Sequence, residues 1–264
     1  MEPLLLVGLD EPETTELRRR LGWPALAYET LPRIRVERGR LLVEHPHIMN
    51  HFVPVERVVF HAIFEDDFDF LTALALWSGP CLPGARGMMD LRLRLPGLVR
   101  ALAVTRFGGL ARGYADRGTT VAAAGQAVAK WGNWHCGEDK ARFTAEWTAS
   151  VPTLFEEFVG GEAVRIVLVG EHVWQVRMVG DGWLKSIHHP EAALMPIDPE
   201  LLEDTRRLAD HFGLEIAGVD YIVAPDGTRH LLEVNHVPNV TAFPEVREAY
   251  LELVVRWAGG DKPS

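Results

Sequence analysis

The chain has 264 residues, of which 47% are hydrophobic and 24% are charged, and its formal net charge is −10. This composition is ordinary for a globular protein that buries a sizeable core in one large domain or in two to three small lobes. The acidic balance argues against a protein that binds nucleic acid or an anionic membrane surface. Two cysteines, Cys81 and Cys136, are too few for a disulfide framework, so we expect a reducing, cytoplasmic location.

The first third of the chain alternates short apolar runs with helical patterns. The run "PLLLVGL" at 3–9 is too short to cross a membrane and lacks the basic start of a signal peptide, so it predicts a buried strand over 4–9. A helix is expected over 11–22, with Thr14 or Thr15 as a candidate cap. Further strands at 24–28 and 57–63 and a helix at 66–77 favour a small α/β lobe with a parallel sheet, which ends in a Gly- and Pro-rich boundary.

The remainder of the chain has an α+β pattern. A basic helix is predicted near 90–103 and a second helix near 138–148, on either side of strands at 119–122 and 126–131 and a glycine-containing loop. Strands follow at 153–159, 164–170 and 173–179, then a helix at 198–212, a hairpin at 215–234 and a final helix at 244–258. We expect three lobes, at 1–87, 88–158 and 159–260.

The hairpin "AGVDYIVAPDGTRHLLEVN" brings polar residues together on one face. Asp226-Gly227 is a strong signal for a two-residue turn, and that turn would set Asp220 directly opposite Glu233. Asn235 lies two residues further along the strand, so it shares this face. The opposite face would carry the apolar residues of both strands, which are Val219, Tyr221, Val223, Leu232 and Val234.

Facing carboxylates repel each other unless a cation lies between them. Oxygen ligands of this kind suit Mg²⁺, so Asp220, Glu233 and Asn235 are candidate metal ligands. The alternative is a solvent-exposed hairpin face that carries two acids by chance.

Several motifs occur in an order that resembles the ATP-grasp superfamily, in particular ribosomal-protein S6 glutamate ligase and its relatives. They are "AVAKWGNWHCGEDK" (127–140), "PTLFEEFVGGEAVRIVLVGEHVWQVRM" (152–178), "IAGVDYIV" (216–223) and "LEVNHVPNVTAF" (232–243). The resemblance covers about 90–258. It implies a small N-terminal α/β lobe and two α+β lobes that sandwich a nucleotide.

The resemblance also implies roles for individual residues. Lys130 would contact the nucleotide phosphates, and Gly132 and Gly137 would let a loop close over them. Arg165 and Arg177 would face the phosphates and an acyl-phosphate, while Asp220, Glu233 and Asn235 would hold Mg²⁺, with Mn²⁺ as an alternative. The hinge that receives adenine would consist of Glu156, Glu157, Phe158 and Val159. Glu162 is a candidate ribose partner, with a surface glutamate as the alternative.

Two of the departures from the family pattern affect the candidate site residues. Where the family has a lysine at the start of the nucleotide-binding lobe, "MMDLRLRL" offers Arg92 or Arg94, and we take Arg92 as the phosphate contact. Where close relatives have an Arg-x-Asn element, this chain has "WLKSIHH", in which Lys185 or His188 would substitute; we take Lys185 as catalytic. Cys136 is expected to be incidental, because the chemistry needs no covalent nucleophile.

The implied activity is an ATP-dependent ligation of a carboxylate to an amine through an acyl-phosphate, which releases ADP and phosphate. The substrates would be small molecules or peptides, and a homodimer is the default assembly. One alternative is an ATP-binding module without catalysis. Another is a metal protein, since His45, His47, His51 and His61 lie close in sequence, although their spacing matches no standard zinc pattern.

Overall fold

The computed structural model describes residues 2–132 and 139–260. Its helices are α1 (Glu11–Leu21), α2 (Asp67–Trp77), α3 (Ala85–Arg92), α4 (Arg94–Leu102), α5 (Pro199–Phe212) and α6 (Pro244–Ala258). Its first nine strands are β1 (Leu4–Val7), β2 (Ala25–Tyr28), β3 (Ile34–Glu37), β4 (Arg40–Glu44), β5 (Phe52–Val55), β6 (Arg57–Phe60), β7 (Cys81–Leu82), β8 (Arg112–Ala115) and β9 (Thr120–Ala122). The later strands are β10 (Ala127–Trp131), β11 (Lys140–Phe143), β12 (Glu146–Thr148), β13 (Thr153–Glu157), β14 (Glu162–Val169), β15 (His172–Arg177), β16 (Ala193–Met195), β17 (Ile216–Val223) and β18 (Arg229–Asn235). Among the described residues, no helix combines the length and the apolar character that a membrane span needs.

The N-terminal segment contains the predicted parallel sheet, in the order β2-β1-β6-β7. Helix α1 follows β1 and ends before Gly22, whose positive φ of 68° suits a residue without a Cβ atom. The predicted cap was wrong: Asp10 precedes the helix, and Thr14 lies inside it. A second, antiparallel sheet, β3-β4-β5, was not predicted. Its strands have only four or five residues each, and only β3 alternates apolar and polar residues, which is a weak signal.

Two predicted helices are different in the structure. The basic helix expected over 90–103 is split into α3 and α4 at Leu93, whose backbone is extended. Pro96 explains the split, because its ring would clash with the Arg92 carbonyl in a continuous helix. The helix expected over 138–148 is wrong: residues 140–143 and 146–148 form β11 and β12. Phe143 on β11 and Trp147 on β12 pack with Trp131 in a small apolar cluster.

The C-terminal half is a five-stranded antiparallel sheet in the order β16-β15-β14-β17-β18. One face of this sheet packs against α5 and α4 through residues such as Val164, Leu208 and Tyr221. Part of the other face, including Val167 and Val169, packs against α6 and the N-terminal segment. The C-terminal helix therefore joins the first and last parts of the chain in one core.

The four histidines of the N-terminal segment do not form a common site. The rings of His45 and His51 have centroids 6.1 Å apart, but His61 instead packs against the ring of Tyr250 at 4.8 Å. Within residues 2–132 and 139–260, no group of three or more His, Cys, Asp or Glu side chains is arranged to hold a metal ion. The zinc-site alternative is therefore not supported.

Burial lowers the pKa of His61 to about 4, although the nearby Glu13 opposes this shift. The folded protein keeps His61 neutral, whereas the unfolded chain protonates it near its ordinary pKa of 6.5. We therefore expect the free energy of unfolding to fall as the pH drops from 6.5 towards 4, and to fall less steeply in a His61→Gln variant. Urea unfolding over this pH range measures both slopes. The exposed His47→Gln variant should match the wild type, and an equal slope in His61→Gln would contradict the prediction.

Candidate active site

The β17–β18 hairpin places Asp220 opposite Glu233, as the sequence predicted, but by a different route. The turn is a three-residue loop, Pro225-Asp226-Gly227, in which the Gly227 N–H donates to the Ala224 carbonyl. This loop shifts the strand register by one residue from the predicted two-residue turn. An irregularity between the pairs Tyr221–Leu231 and Asp220–Glu233 shifts it back. The two shifts cancel at the carboxylate pair.

The irregularity also changes which leucine is in the core. Leu231, not Leu232, lies opposite Tyr221 and is fully buried with Val219 and Val234. Leu232 packs on the other face with Ile222, so its prediction as a core residue of the first face was wrong. Its side chain becomes part of the surface that Asp220 and Glu233 share.

A cavity of about 700 Å³ lies between this surface and the sheet β11-β10-β13-β8. The short segment 158–161 connects β13 to β14 at one end of the cavity. Nine of the predicted site residues line it: Lys130, Glu156, Glu157, Phe158, Val159, Arg165, Lys185, Asp220 and Glu233. Residues that the sequence did not indicate also line it: Leu110, Val128, Lys140, Ala163, Met178, Ile222 and Leu232. The cavity thus has a charged part and an apolar part.

Arg165 and Asp220 form a bidentate ion pair across β14 and β17. The Arg165 Nε and Nη2 atoms donate to the two Asp220 carboxylate oxygens at 2.6 and 2.8 Å. Burial by itself would lower the pKa of Arg165, but the Asp220 charge and hydrogen bonds, together with Glu233, raise it. Arg165 is therefore a fixed cation beside both carboxylates.

On the opposite wall, Glu156 lies between two cations. Its buried carboxylate pairs with Lys130 from β10 and accepts a hydrogen bond of 3.2 Å from Arg112 Nε from β8. Arg112 also donates to the Leu231 carbonyl, so this network connects the two walls of the cavity. Glu156 therefore sets the position of Lys130.

Arg92 does not reach the cavity. It is 3% exposed and pairs with the buried Asp67, while its Nη2 donates to the Phe64 carbonyl at 2.6 Å. Arg94, the alternative in the same motif, is also buried, and its Nη1 donates to the Trp131 carbonyl at 3.0 Å. Its Nε and Nη2 have no hydrogen-bond partner among the described residues. The helix breaks at Leu93, between the two arginines, so their side chains point in different directions. Arg94, and not Arg92, lies near Lys130 and Lys140.

Arg177 and Glu162 also lie away from the cavity. Arg165 is opposite Val176, so Arg177, one residue further, shares a face with Val164 and the α5 side of the sheet. Glu162 is exposed and lies opposite Val223, on that same face. The alternation of side chains across a strand explains both corrections, since each residue is an odd number of positions from a site residue.

The other predicted residues have mixed positions. Asn235 is buried two residues beyond Glu233 and lies opposite Gly218. It does not line the cavity. Its Nδ2 atom has no hydrogen-bond partner in the described part of the chain. Gly132 has a positive φ of 67°, which favours glycine, and it too is outside the cavity lining. Gly137 and Cys136 lie outside the described residues.

The loop 179–189 closes one side of the cavity. It is held by an isolated bridge between Val179 and Ser186, and Lys185 Nζ donates to the Gly180 carbonyl at 3.2 Å. The Trp183 ring contacts Phe158 edge-on, at 6.4 Å between centroids, and the Arg142 guanidinium lies 4.0 Å from the Phe158 ring centroid. These ring contacts join the loop to the 158–161 connection.

Comparison with known proteins finds similarity in structure only. No protein-family model matches the chain, and no curated protein matches it in sequence. D-Alanyl-alanine synthetase A from Vibrio cholerae superposes with a TM-score of 0.69 at 12% identity, over 98% of each chain. A RiPP-associated ATP-grasp ligase from Chryseobacterium gregarium, solved with ADP and a leader and core peptide, gives 0.66 at 12% identity over 100% of this chain and 98% of that one.

The ATP-grasp ligase PsnB, solved with a minimal precursor, Mg and ADP, has a TM-score of 0.60 at 14% identity, over 95% of this chain and 96% of its own. This chain has the ATP-grasp fold. In this fold, the cavity lies between the sheet β11-β10-β13-β8 and the five-stranded sheet. The fold expected from the sequence motifs is therefore confirmed.

The two arginines of the "LRLR" motif should differ in their effect on stability. Arg92→Met leaves the carboxylate of Asp67 buried without its counter-ion, and we expect the free energy of unfolding to fall by about 3 kcal/mol. Arg94→Met removes a buried guanidinium that is only partly hydrogen-bonded, so the loss should be clearly smaller. Urea unfolding of both variants tests this, and an equal loss would contradict the assignment.

Proposed function

We propose that this protein is an ATP-dependent carboxylate–amine ligase. In this reaction a substrate carboxylate takes the γ-phosphoryl group of ATP and ADP leaves; an amine then attacks the acyl-phosphate carbon, a C–N bond forms, and phosphate leaves. The observation that carries the proposal is the convergence of Asp220 and Glu233 with fixed cations on one cavity of an ATP-grasp fold. Catalysis of this type depends on positioning and on charge neutralisation rather than on a covalent residue.

The apolar part of the cavity is suited to the adenine base. Ala163, Met178, Ile222 and Leu232 form an apolar surface there, next to Phe158 and Val159. The N–H groups of Glu157 and Phe158 donate to the carbonyls of Ala111 and Gln126, so these two donors are already used. Other groups of the 158–161 segment would therefore hydrogen-bond the base.

The charged part is suited to the phosphates. Lys130 is held by Glu156, Arg165 is held by Asp220, and Arg94 has two buried donor atoms without a partner in the described residues. A cation that is already oriented stabilises developing negative charge without a cost of reorganisation. Lys185, on the loop 179–189, would act from the side where a second substrate enters.

The donor set fits Mg²⁺, with Mn²⁺ as an alternative. Asp220 and Glu233 offer carboxylate oxygens on one surface, and Asn235 follows Glu233 on the same strand and on the same face. The Nδ2 atom of Asn235 has no hydrogen-bond partner among the described residues. Mg²⁺ commonly binds one or two carboxylates and completes its shell with phosphate oxygens and water. Each Asp220 oxygen that accepts from Arg165 retains a second lone pair. A bound metal would neutralise phosphate charge.

The substrates would be amino acids or peptides. Two of the structural neighbours are described with a peptide or precursor bound, and a third is a D-alanyl-alanine synthetase. The exposed loop with Trp183, Leu184 and Lys185 is the part of the cavity wall best placed to select an acceptor. A cytoplasmic location would supply ATP.

Calorimetric titration with ATP, with and without Mg²⁺, tests the nucleotide and metal site without knowledge of the acceptor. We expect Mg²⁺-dependent binding that falls at least about tenfold in Glu233→Ala, because one metal ligand is lost. Arg94→Met should weaken binding under both conditions. Glu162→Ala is the matched control, since it removes a carboxylate from the other face of the same sheet. Absence of ATP binding by the wild type would refute the proposal.

A second measurement separates a ligase from a nucleotide-binding module. Release of ADP and phosphate from ATP should increase when pairs of amino acids or peptides are added, and Glu233→Ala should abolish the increase. ATP binding with no acceptor-dependent ADP release across such a panel would favour the module without catalysis.

A further inference from the structure

The distribution of lysines points to one residue that the sequence motifs did not single out. The chain has four lysines among its 27 Lys and Arg residues, and three of them, Lys130, Lys140 and Lys185, line the cavity. Arginine supplies the positive charge almost everywhere else. A lysine ammonium is a compact charge with three donors, whereas a guanidinium is a wide planar fork. Lysine is therefore used here at the points where a compact cation faces the cavity.

Lys140 lies directly opposite Lys130 on the neighbouring strands β11 and β10, so both side chains are on the same face. Like charges in directly opposite positions destabilise a sheet. Lys130 is compensated by its ion pair with Glu156. In the described part of the chain, the Lys140 ammonium has no hydrogen bond or ion pair of its own. Among the described residues, no carboxylate pairs directly with this half-buried cation.

The surroundings of Lys140 contain charges of both signs. Burial lowers the pKa of Lys140, and the charges of Lys130 and Arg94 lower it further. Glu233 and Asp220 act in the opposite direction. Lys140 thus lies between the cations of one cavity wall and the carboxylates of the other. An anion that binds here would relieve the repulsion among three cations.

The position along the strand indicates which part of a nucleotide would meet Lys140. At the 158–161 end of the cavity, Ala127 pairs with Glu157, and Lys130 lies three residues further along β10. Three residues of strand span about 10 Å. A base bound beside Phe158 would therefore leave its phosphate chain, and not its sugar or ring, at the level of Lys130 and Lys140.

We propose that Lys140 is a second ammonium ligand of the ATP phosphate chain, and that it and Lys130 bind this chain from adjacent strands. This inference rests on the proposed function, since it assumes that the cavity binds ATP. A competing role is that of a counter-ion, in which Lys140 neutralises Glu233 and Asp220 and is displaced when a metal ion binds. When the charge is removed, the first role predicts weaker phosphate binding, whereas the counter-ion role predicts unchanged or tighter binding.

The test is calorimetric titration of wild type, Lys140→Met and Lys140→Arg with the non-hydrolysable analogue AMPPNP in Mg²⁺ buffer, and with adenosine. Loss of a charge-assisted hydrogen bond should weaken AMPPNP binding by at least about tenfold in Lys140→Met. Adenosine binding should change by less than about twofold, because it has no phosphate, and Lys140→Arg should recover most of the affinity. The matched control is Arg117→Met, which removes one charge from an exposed turn outside the cavity.

Unchanged AMPPNP affinity in Lys140→Met, with binding intact in the wild type, would overturn this inference alone. If Lys140→Met binds AMPPNP equally or more tightly and needs less Mg²⁺, Lys140 has the counter-ion role. That result would also overturn the inference that Lys140 binds the phosphate chain. If the wild type binds neither AMPPNP nor ATP, the proposed function fails and this inference fails with it. Circular dichroism confirms that each variant is folded, and Lys140→Gln replaces Lys140→Met if the latter is not.

Discussion

The close approach of two carboxylates, Asp220 and Glu233, is the constraint on which the cavity depends. The backbone pairing of β17 and β18 fixes this approach, because the register shift at the turn and the opposite shift beside Leu232 cancel at this pair. Two carboxylates on adjacent strands require positive charge nearby. Arg165 supplies part of that charge from the next strand, with both Asp220 oxygens as acceptors.

A single sheet face is used for two purposes. Towards α6, Val167 and Val169 on β14 are fully buried in the core that joins the first and last segments of the chain. Towards the 158–161 connection, Arg165 and Ala163 on the same strand face the cavity. The buried half of β14 holds the strand in place. Because one hydrogen-bond ladder runs along the whole strand, it also fixes the residues that face the cavity. Rigidity of the site follows from the core beside it.

The opposite wall is organised by a buried acid. Glu156 accepts from Lys130 and Arg112, and Arg112 also reaches the Leu231 carbonyl in the other wall. A buried carboxylate with two cationic partners is strongly oriented, because loss of either partner would leave charge uncompensated in a low-dielectric site. Lys130 is thereby held at the cavity. The loop with Trp183 and Lys185 is held by the Val179–Ser186 bridge, by ring contacts and by the hydrogen bond of Lys185 to the Gly180 carbonyl.

Local patterns in the sequence were sufficient for part of this structure. The helical patterns of α5 and α6, the glycine after α1 and the polar face of the hairpin are set by residues close together in the chain, so the pairing of Asp220 with Glu233 could be predicted. Lys130 and the segment around Phe158 were indicated only by the resemblance to the ATP-grasp superfamily, and both line the cavity. The tertiary structure decided the rest. Arg92 and Arg94 differ by two positions, and only the break at Leu93 sends one to Asp67 and the other towards the lysines. Arg177 and Leu232 depend on strand register, where a shift of one residue moves a side chain to the other face. Lys140 joins the site because 140–143 is a strand paired with β10, and that pairing is a non-local contact that no local pattern specifies.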